Sequence, residues 1–359
     1  MQYPGPRPDS HRTERPRRLR VVQWATGTIG TRSLRAVLDH PHLELAGVYV
    51  HAPDKAGRDA GELCGMGATG VTTTHDRAEI LGLGADCVLY MPRSHDHDEV
   101  CALLASGANV VSTCGVFHRP AGLDPADRER VERACERGGT SIHSTGSSPG
   151  FITEAVPLVL ASLQRRLNTL TIHEYADLSR RDSPGLLFDV MGFGRAPTTE
   201  FDRRRLTQVR SSFGPSLRLV ADALGLPLDA VEAHGRLATA ARTTRIAAGS
   251  LRAGTVAAQR MTLSGVRDGR TLLRFDATWY CTTDLAPAWD VRPTGWHLTV
   301  DGDAPVDIDM RFPVPVDRMG AVFPGYTAHR AVNAVNAVCA AAPGIRTTPE
   351  LPPFTAVLA

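Results

Sequence analysis

The chain has 359 residues, 42% of them hydrophobic and 22% charged, which is typical of a folded globular protein long enough for two domains. A net charge of +2 gives no reason to expect nucleic acid or a membrane as a partner, and no apolar run is long enough to cross a bilayer. Seven cysteines without metal-site spacing predict reduced thiols, no metal and a cytoplasmic location.

The first 18 residues are rich in proline and arginine and lack the apolar core of a signal peptide. They predict a disordered basic arm, with an interaction tail as the alternative. Beyond it, short runs rich in Val, Leu and Ile alternate with helical periodicity as far as residue 148. This pattern predicts a Rossmann domain, a doubly wound parallel sheet with helices on both faces. We expect strands at 20–24, 43–50, 71–74, 86–90, 109–113 and 140–144, and helices at 28–39, 76–83, 95–106 and 125–137.

After Pro149-Gly150 the pattern changes to longer segments of alternating hydrophobicity. They predict a second, α+β domain over 149–325, with a mostly antiparallel sheet and helices on one face. Asp268-Gly269 indicates a hairpin. A helix at 327–343 and a tail to residue 359 complete the α/β chain. Besides a helix at about 151–165, we expect strands at 170–175, 255–266, 271–281, 296–300 and 306–312.

The stretch "VVQWATGTIGTRSL" (21–34) has the form of a dinucleotide-binding loop, because it joins the first strand to the first helix. Gly27 would let the backbone approach a pyrophosphate, and Gly30 would let the helix pack on the strand. The N–H groups of Thr28 and Ile29 would face the phosphates. Ala25 replaces the first glycine of the fingerprint, which it can do if its φ stays negative. An unoccupied strand–helix turn is the alternative.

The end of the second strand bears on the choice of cofactor. His51 stands where NAD-specific sites usually carry an acidic residue, and Lys55 and Arg58 follow just beyond. Positive charge there would attract a 2′-phosphate, so NADP(H) is favoured and NAD(H) is possible. Asp54 could instead bind a ribose, or the charges could belong to a solvated loop.

Four stretches carry a family resemblance: "VVQWATGTIGTRSLRAVLDHPHLELAGVYVHAPDKAGRDAGEL" (21–63), "GSSPGF" (146–151), "FDVMGFGR" (188–195) and "TAHRAVNAVNAVCAAAPG" (327–344). The chain resembles dihydrodipicolinate reductase-like proteins and, more narrowly, the group of 2,4-diaminopentanoate dehydrogenases and NAD(P)H-dependent amine dehydrogenases. The resemblance implies a Rossmann domain joined to an α+β domain, an active site in the cleft between them, and a homodimer.

The chain departs from these families at two places. Dihydrodipicolinate reductases carry a lysine in the second domain, whereas the only lysine here is Lys55, so we do not expect that activity. The related amine dehydrogenases carry a glutamate shortly after the strand that ends the cofactor half. In the matching stretch "VVSTCGVFHRP" (110–120), that region holds Cys114, Gly115 and Val116.

Hydride transfer to a C=N or C=O group needs a side chain that stabilises the charge developing on nitrogen or oxygen. Glu174 alternates with Ile172 and could point from the second sheet into the cleft, although a surface glutamate is the alternative. His143, in the strand "SIHST", is either a proton donor or a core histidine. The strand ends complete the predicted site. For the cofactor we expect Thr26, Gly27, Thr28, Ile29, Gly30, His51, Lys55, Arg58, Tyr90, Pro92, Thr113 and Gly115, and for the substrate pocket Cys114, Phe117, His118, Ser148 and Phe151.

The sequence therefore predicts an NAD(P)H-dependent oxidoreductase that acts on a small C=N or C=O compound or on its amine or alcohol. Plain carbonyl reduction and a non-catalytic dinucleotide-binding protein are the alternatives.

Overall fold

A computed structural model describes residues 17–357, apart from the side chains of residues 199–202. Most of the predicted N-terminal arm lies outside the described residues. Arg17, which falls within them, forms an ion pair of 2.9 Å with Asp86.

The first sheet contains seven parallel strands in the order β16-β6-β5-β4-β1-β2-β3. Six of them come from the N-terminal part of the chain, close to the predicted positions, because buried parallel strands are nearly continuous apolar runs. These are β1 (Leu19–Trp24), β2 (Leu43–Tyr49), β3 (Thr73–Thr74), β4 (Cys87–Tyr90), β5 (Asn109–Ser112) and β6 (Ser141–Ser144).

Helices cover both faces of this sheet, as a doubly wound fold requires. Aspartates cap four of these helices, each accepting a hydrogen bond from a backbone N–H of the first turn. The helices are α1 (Thr28–Leu38), α2 (Ala60–Cys64), α3 (Arg77–Leu81), α4 (His97–Ala105) and α5 (Pro125–Gly138).

The second sheet also has seven strands, in the order β13-β8-β11-β12-β7-β14-β15. Only β12 and β7 pair in parallel. Asp268 and Gly269 both have positive φ, 49° and 71°, as a two-residue hairpin turn requires. The strands are β7 (Leu167–Asp177), β8 (Ala230–Ala240), β11 (Val256–Arg267), β12 (Arg270–Tyr280), β13 (Leu285–Ala286), β14 (Gly295–Gly302) and β15 (Val306–Arg311), and β9 (Thr244–Ile246) with β10 (Gly249–Leu251) form a separate ribbon. The predicted fold class is confirmed.

In the second domain, helical segments on either side of β7 precede β8. The segment Ser147–Ala155 turns sharply at residues 148–150 and continues into α6 (Val156–Ala161), which is shorter than predicted. The sequence did not indicate α7 (Thr199–Ala223), whose Val209 and Phe213 belong to the core of the second sheet.

The C-terminal segment returns to the first sheet. Helix α8 (Val316–Cys339) begins eleven residues before the predicted position, and its Val332 and Val335 share a core with Leu34 and Val37 of α1. Strand β16 (Gly344–Arg346) then pairs with β6 at the sheet edge. Within residues 17–357, no helix combines the length and apolar content needed to cross a membrane.

Candidate functional site

The loop between β1 and α1 is shaped by its small residues. A side chain at Gly27 would project into open space, whereas a Cβ at Gly30 would lie 2.0 Å from the carbonyl oxygen of Ala25. Ala25 has a φ of +73°, which corrects our expectation of a negative value. This alanine adopts the left-handed conformation that a glycine would adopt more easily.

The same loop fits the phosphates of a dinucleotide. The first N–H groups of a helix have no acceptor within the helix, and here those of Thr28 and Ile29 border the open space at Gly27. Thr26 is buried beneath this loop. A phosphate can therefore approach the backbone without meeting a side chain.

Lys55 reaches from the end of β2 to the same loop. Its Nζ donates to the carbonyl oxygen of Thr26 at 3.2 Å. Arg58 makes only a loose contact with Glu62, 3.8 Å between Nε and Oε2, and His51 is exposed beside Tyr49. Of the two cationic side chains, Lys55 thus contacts the loop between β1 and α1, and Arg58 follows it by three residues.

The ends of β4 and β5 lie side by side. The Cys114 thiol donates to the carbonyl oxygen of Pro92 at 3.7 Å, and the N–H of Thr113 donates to the carbonyl oxygen of Tyr90. Burial raises the pKa of the Cys114 thiol, which disfavours a nucleophilic role. Gly115 borders a separate groove, where its Cβ would lie 3.4 Å from the carbonyl oxygen of Ser212.

A cavity of about 240 Å³ lies between the two sheets. The nucleotide loop contributes Ile29, the end of β6 contributes Ser147 and Ser148, and α8 contributes Thr327. The hydroxyl of Ser148 is buried and has no hydrogen-bond partner among the described residues. Phe323 of α8 also lines the cavity, and the second sheet with its flanking segments supplies the remaining wall, which includes Glu174, Asp177, Arg181, Met191, Phe213 and Trp279.

Glu174 is the buried carboxylate of this cavity, and only 8% of the residue is exposed. Trp279 donates its indole N–H to Oε1 at 2.9 Å, and Trp296 donates its own to Oε2 at 3.0 Å. The two indoles come from β12 and β14, the strands on either side of β7. Both donors are uncharged, so they fix the orientation of the side chain without forming an ion pair. The alternating pattern of its strand predicted the position of Glu174, but nothing in the sequence indicated that two tryptophans hold it.

Arg181 also lines the cavity, and burial lowers the pKa of its guanidinium. The structure gives it no carboxylate partner among the described side chains. Nothing in the sequence singled it out, because it follows the strand within an irregular segment.

His143 does not face the cavity, which corrects its assignment as a catalytic candidate. Its Nδ1 lies 2.8 Å from the carbonyl oxygen of Arg346, and its ring packs edge-on against Phe354. Burial lowers the pKa of His143 to about 4, so the ring is neutral at physiological pH.

His118 does not line the cavity either, which corrects its assignment to the substrate pocket. Its Nδ1 lies 2.6 Å from Oε1 of Glu154, and both side chains are buried. Ser216 of α7 donates to the same oxygen at 2.6 Å. Burial alone would raise the pKa of Glu154, but the His118 ring and the donated hydrogen bonds lower it overall.

Three aromatic assignments also need correction. The Tyr90 hydroxyl donates to Glu99 at 2.8 Å inside the first domain, and its fully buried ring belongs to the core of the first sheet and does not line the cavity. Phe117 is fully buried in the core of the first sheet. Phe151 packs on Trp296, behind the cavity wall. Sequence position near a strand end does not determine which way such a ring points.

Two family models match the chain. Residues 21–137 match the dihydrodipicolinate reductase N-terminus, and residues 207–359 match the 2,4-diaminopentanoate dehydrogenase C-terminal domain. Each domain thus matches a different model, the first a reductase N-terminus and the second a diaminopentanoate dehydrogenase C-terminal domain. The family resemblance stated from the sequence is confirmed.

Individual relatives agree with these domains. An amine dehydrogenase of Streptomyces virginiae is 29% identical over 348 residues, which cover 93% of this chain and 96% of that protein. A 4-hydroxy-tetrahydrodipicolinate reductase of Anaeromyxobacter is 35% identical over 117 residues, 33% of this chain and 41% of that protein. The solved amine dehydrogenase from Mycobacterium smegmatis has the same fold, with a TM-score of 0.75 at 19% identity over 94% of this chain and 97% of that one.

With a reductase-type domain, a dehydrogenase-type domain and these relatives, the prediction of a nicotinamide-dependent oxidoreductase is confirmed. In this chain the dehydrogenase-type domain supplies both indoles that hold Glu174.

Proposed function

We propose that this chain interconverts a small primary amine and its imine with a nicotinamide cofactor, and that Glu174 is its catalytic carboxylate. The observation that supports the proposal is the placement of Glu174 in the cavity, with each oxygen held by an indole N–H. Two neutral donors orient the carboxylate and bring no opposite charge to it.

The charge balance of the reaction explains why a carboxylate suits it. When a neutral amine R₂CH–NH₂ loses a hydride, it becomes the iminium R₂C=NH₂⁺, and hydrolysis by one water then releases a ketone and an ammonium ion. Positive charge thus develops beside the reacting carbon, and Glu174 stabilises it. Reduction of a ketone develops negative charge on oxygen instead, which the same carboxylate opposes.

Arg181 indicates a second feature of the substrate, an acidic group. A partly buried guanidinium in the cavity wall binds an acidic group well, because its planar donors match a carboxylate. The matching C-terminal family is named for 2,4-diaminopentanoate, an amine that also carries a carboxylate. The substrate we propose is therefore a small amino acid whose amine lies near Glu174 and whose acidic group lies near Arg181.

The cofactor, when bound, accepts or supplies the hydride at its nicotinamide ring. The open loop at Gly27 would hold its pyrophosphate. Lys55 and Arg58 would pair with a 2′-phosphate, which supports a preference for NADP(H). We further expect a homodimer, as the family resemblance implies, which light scattering coupled to size-exclusion chromatography would test.

The function is tested with purified protein, NADP⁺ and a panel of small amines, amino acids and alcohols of matched carbon skeleton. We expect NADPH formation with amines and faster turnover when a carboxylate is present. In reverse, ketones with excess ammonia should give amines, identified by mass spectrometry. Alcohol oxidation faster than amine oxidation would contradict the proposal and favour a carbonyl reductase.

A further inference from the structure

Helix α7 carries a charged residue in the stripe that packs on the second sheet. Arg205, Val209 and Phe213 follow one another at four-residue spacing, and all three are buried. Only 6% of Arg205 is exposed. A buried guanidinium is costly in free energy unless something compensates for its lost hydration.

The described partners of Arg205 are neutral. Its Nε donates to Oε1 of Gln259 at 3.1 Å, and Nη1 donates to Oε1 of Gln208 at 2.7 Å. Its Cζ lies 5.3 Å from the centre of the Trp279 ring. Burial lowers the pKa of Arg205 to about 10, so the group is cationic at neutral pH.

Trp279 connects this cation to the carboxylate of the cavity. Its ring lies against Arg205, and its N–H donates to Glu174 at 2.9 Å. A cation over an indole draws electron density from the ring and restricts its orientation. Both effects strengthen the hydrogen bond from the indole N–H to Glu174.

We propose that Arg205 is a positioning residue that holds the Glu174 carboxylate in place through Trp279. The proposal rests on the proposed function, because it assigns Arg205 to the catalytic carboxylate of that reaction. Arg205 does not touch the substrate; it acts on the direction of one indole N–H and thereby on where the carboxylate lies.

A double-mutant cycle tests this coupling. Arg205→Met keeps most of the side-chain volume and removes the charge, and Glu174→Gln removes the charge that Arg205 acts on. We expect Arg205→Met to lower kcat for amine oxidation about tenfold in the presence of Glu174, and less than about twofold in the Glu174→Gln background. The KM for NADP⁺ should be unchanged in both, and Arg205→Lys should restore most of the rate.

A purely structural role predicts a different result. Equal losses in both backgrounds would overturn the coupling and leave the proposed function intact, whereas an unimpaired Glu174→Gln single variant would overturn the proposed function itself. Arg260→Met is the matched control, since Arg260 of β11 lies 4.8 Å from the centre of the Trp289 ring and neither residue lines the cavity, so kcat should be unchanged. If Arg205→Met does not fold, Arg205→Gln replaces it in the cycle, because glutamine can still hydrogen-bond to Gln208 and Gln259 but carries no charge.

Discussion

Replacing Glu174 by glutamine measures what the buried carboxylate contributes to catalysis. The side chain keeps its size, but the amide is neutral and presents an NH₂ group to one of the two indole N–H donors. A unit charge at about 4 Å from an iminium, at an effective dielectric constant of about 20, is worth about 4 kcal/mol. Glu174 also attracts the ammonium form of the bound substrate, so only part of this energy lowers the barrier of the reaction. We therefore expect kcat for amine oxidation to fall about 10²–10³-fold.

The assay follows NADPH formation with saturating NADP⁺ and a small amine, with the melting temperature measured in parallel. Loss of one charge-assisted hydrogen bond should cost about 1–3 kcal/mol of folding free energy, which the protein should survive. Asp276→Asn is the control, because Asp276 is an equally buried carboxylate on the next strand that pairs with Arg274 and does not line the cavity. A Glu174→Gln variant that keeps more than about a tenth of the wild-type kcat would refute the electrostatic role.

Three further predictions concern the first domain. Gly27→Val should abolish NADP(H) binding in a titration while circular dichroism shows a native fold, whereas Gly30→Val should prevent folding, because its Cβ would lie 2.0 Å from a backbone oxygen. The double change Lys55→Ala and Arg58→Ala should weaken NADPH binding about tenfold or more and NADH binding little, and equal losses would argue against the 2′-phosphate role. The pKa of His143 is about 4 in the folded protein and about 6.5 when exposed, so the unfolded chain binds the proton first and stability falls as the pH drops between these values. His143→Gln should remove up to about 3 kcal/mol of this acid sensitivity in denaturant titrations at several pH values, and an unchanged pH profile would contradict the assignment.

Some features could be predicted because local pattern determines them. The prediction of a strand at 43–50 came within a residue of Leu43–Tyr49, since a buried strand between polar turns is a continuous apolar run. The direction of Glu174 could be predicted because it stands two residues after the buried Ile172, and every second side chain of a strand points to the same face.

Other features depended on contacts between distant segments. All four residues of β6 are buried, so alternation could not show that His143 faces the returning C-terminal segment. Helix α7 was missed because Arg205 interrupts its apolar stripe and Pro215 lies inside it. The positive φ of Ala25 accompanies the close approach of Gly30 to its carbonyl oxygen, a contact between two residues that the identity of neither one reveals.

The return of α8 and β16 to the first sheet has a consequence for protein synthesis. Strand β6 is made about 200 residues before its partner β16, a delay of about 10–40 s at about 5–20 residues per second. During that interval on the ribosome, β6 is an open edge and the apolar face of α1 lacks its cover from α8. The nucleotide-binding half therefore cannot fold to completion as it emerges, and the nascent chain exposes a surface that invites aggregation or chaperone binding until α8 has been translated.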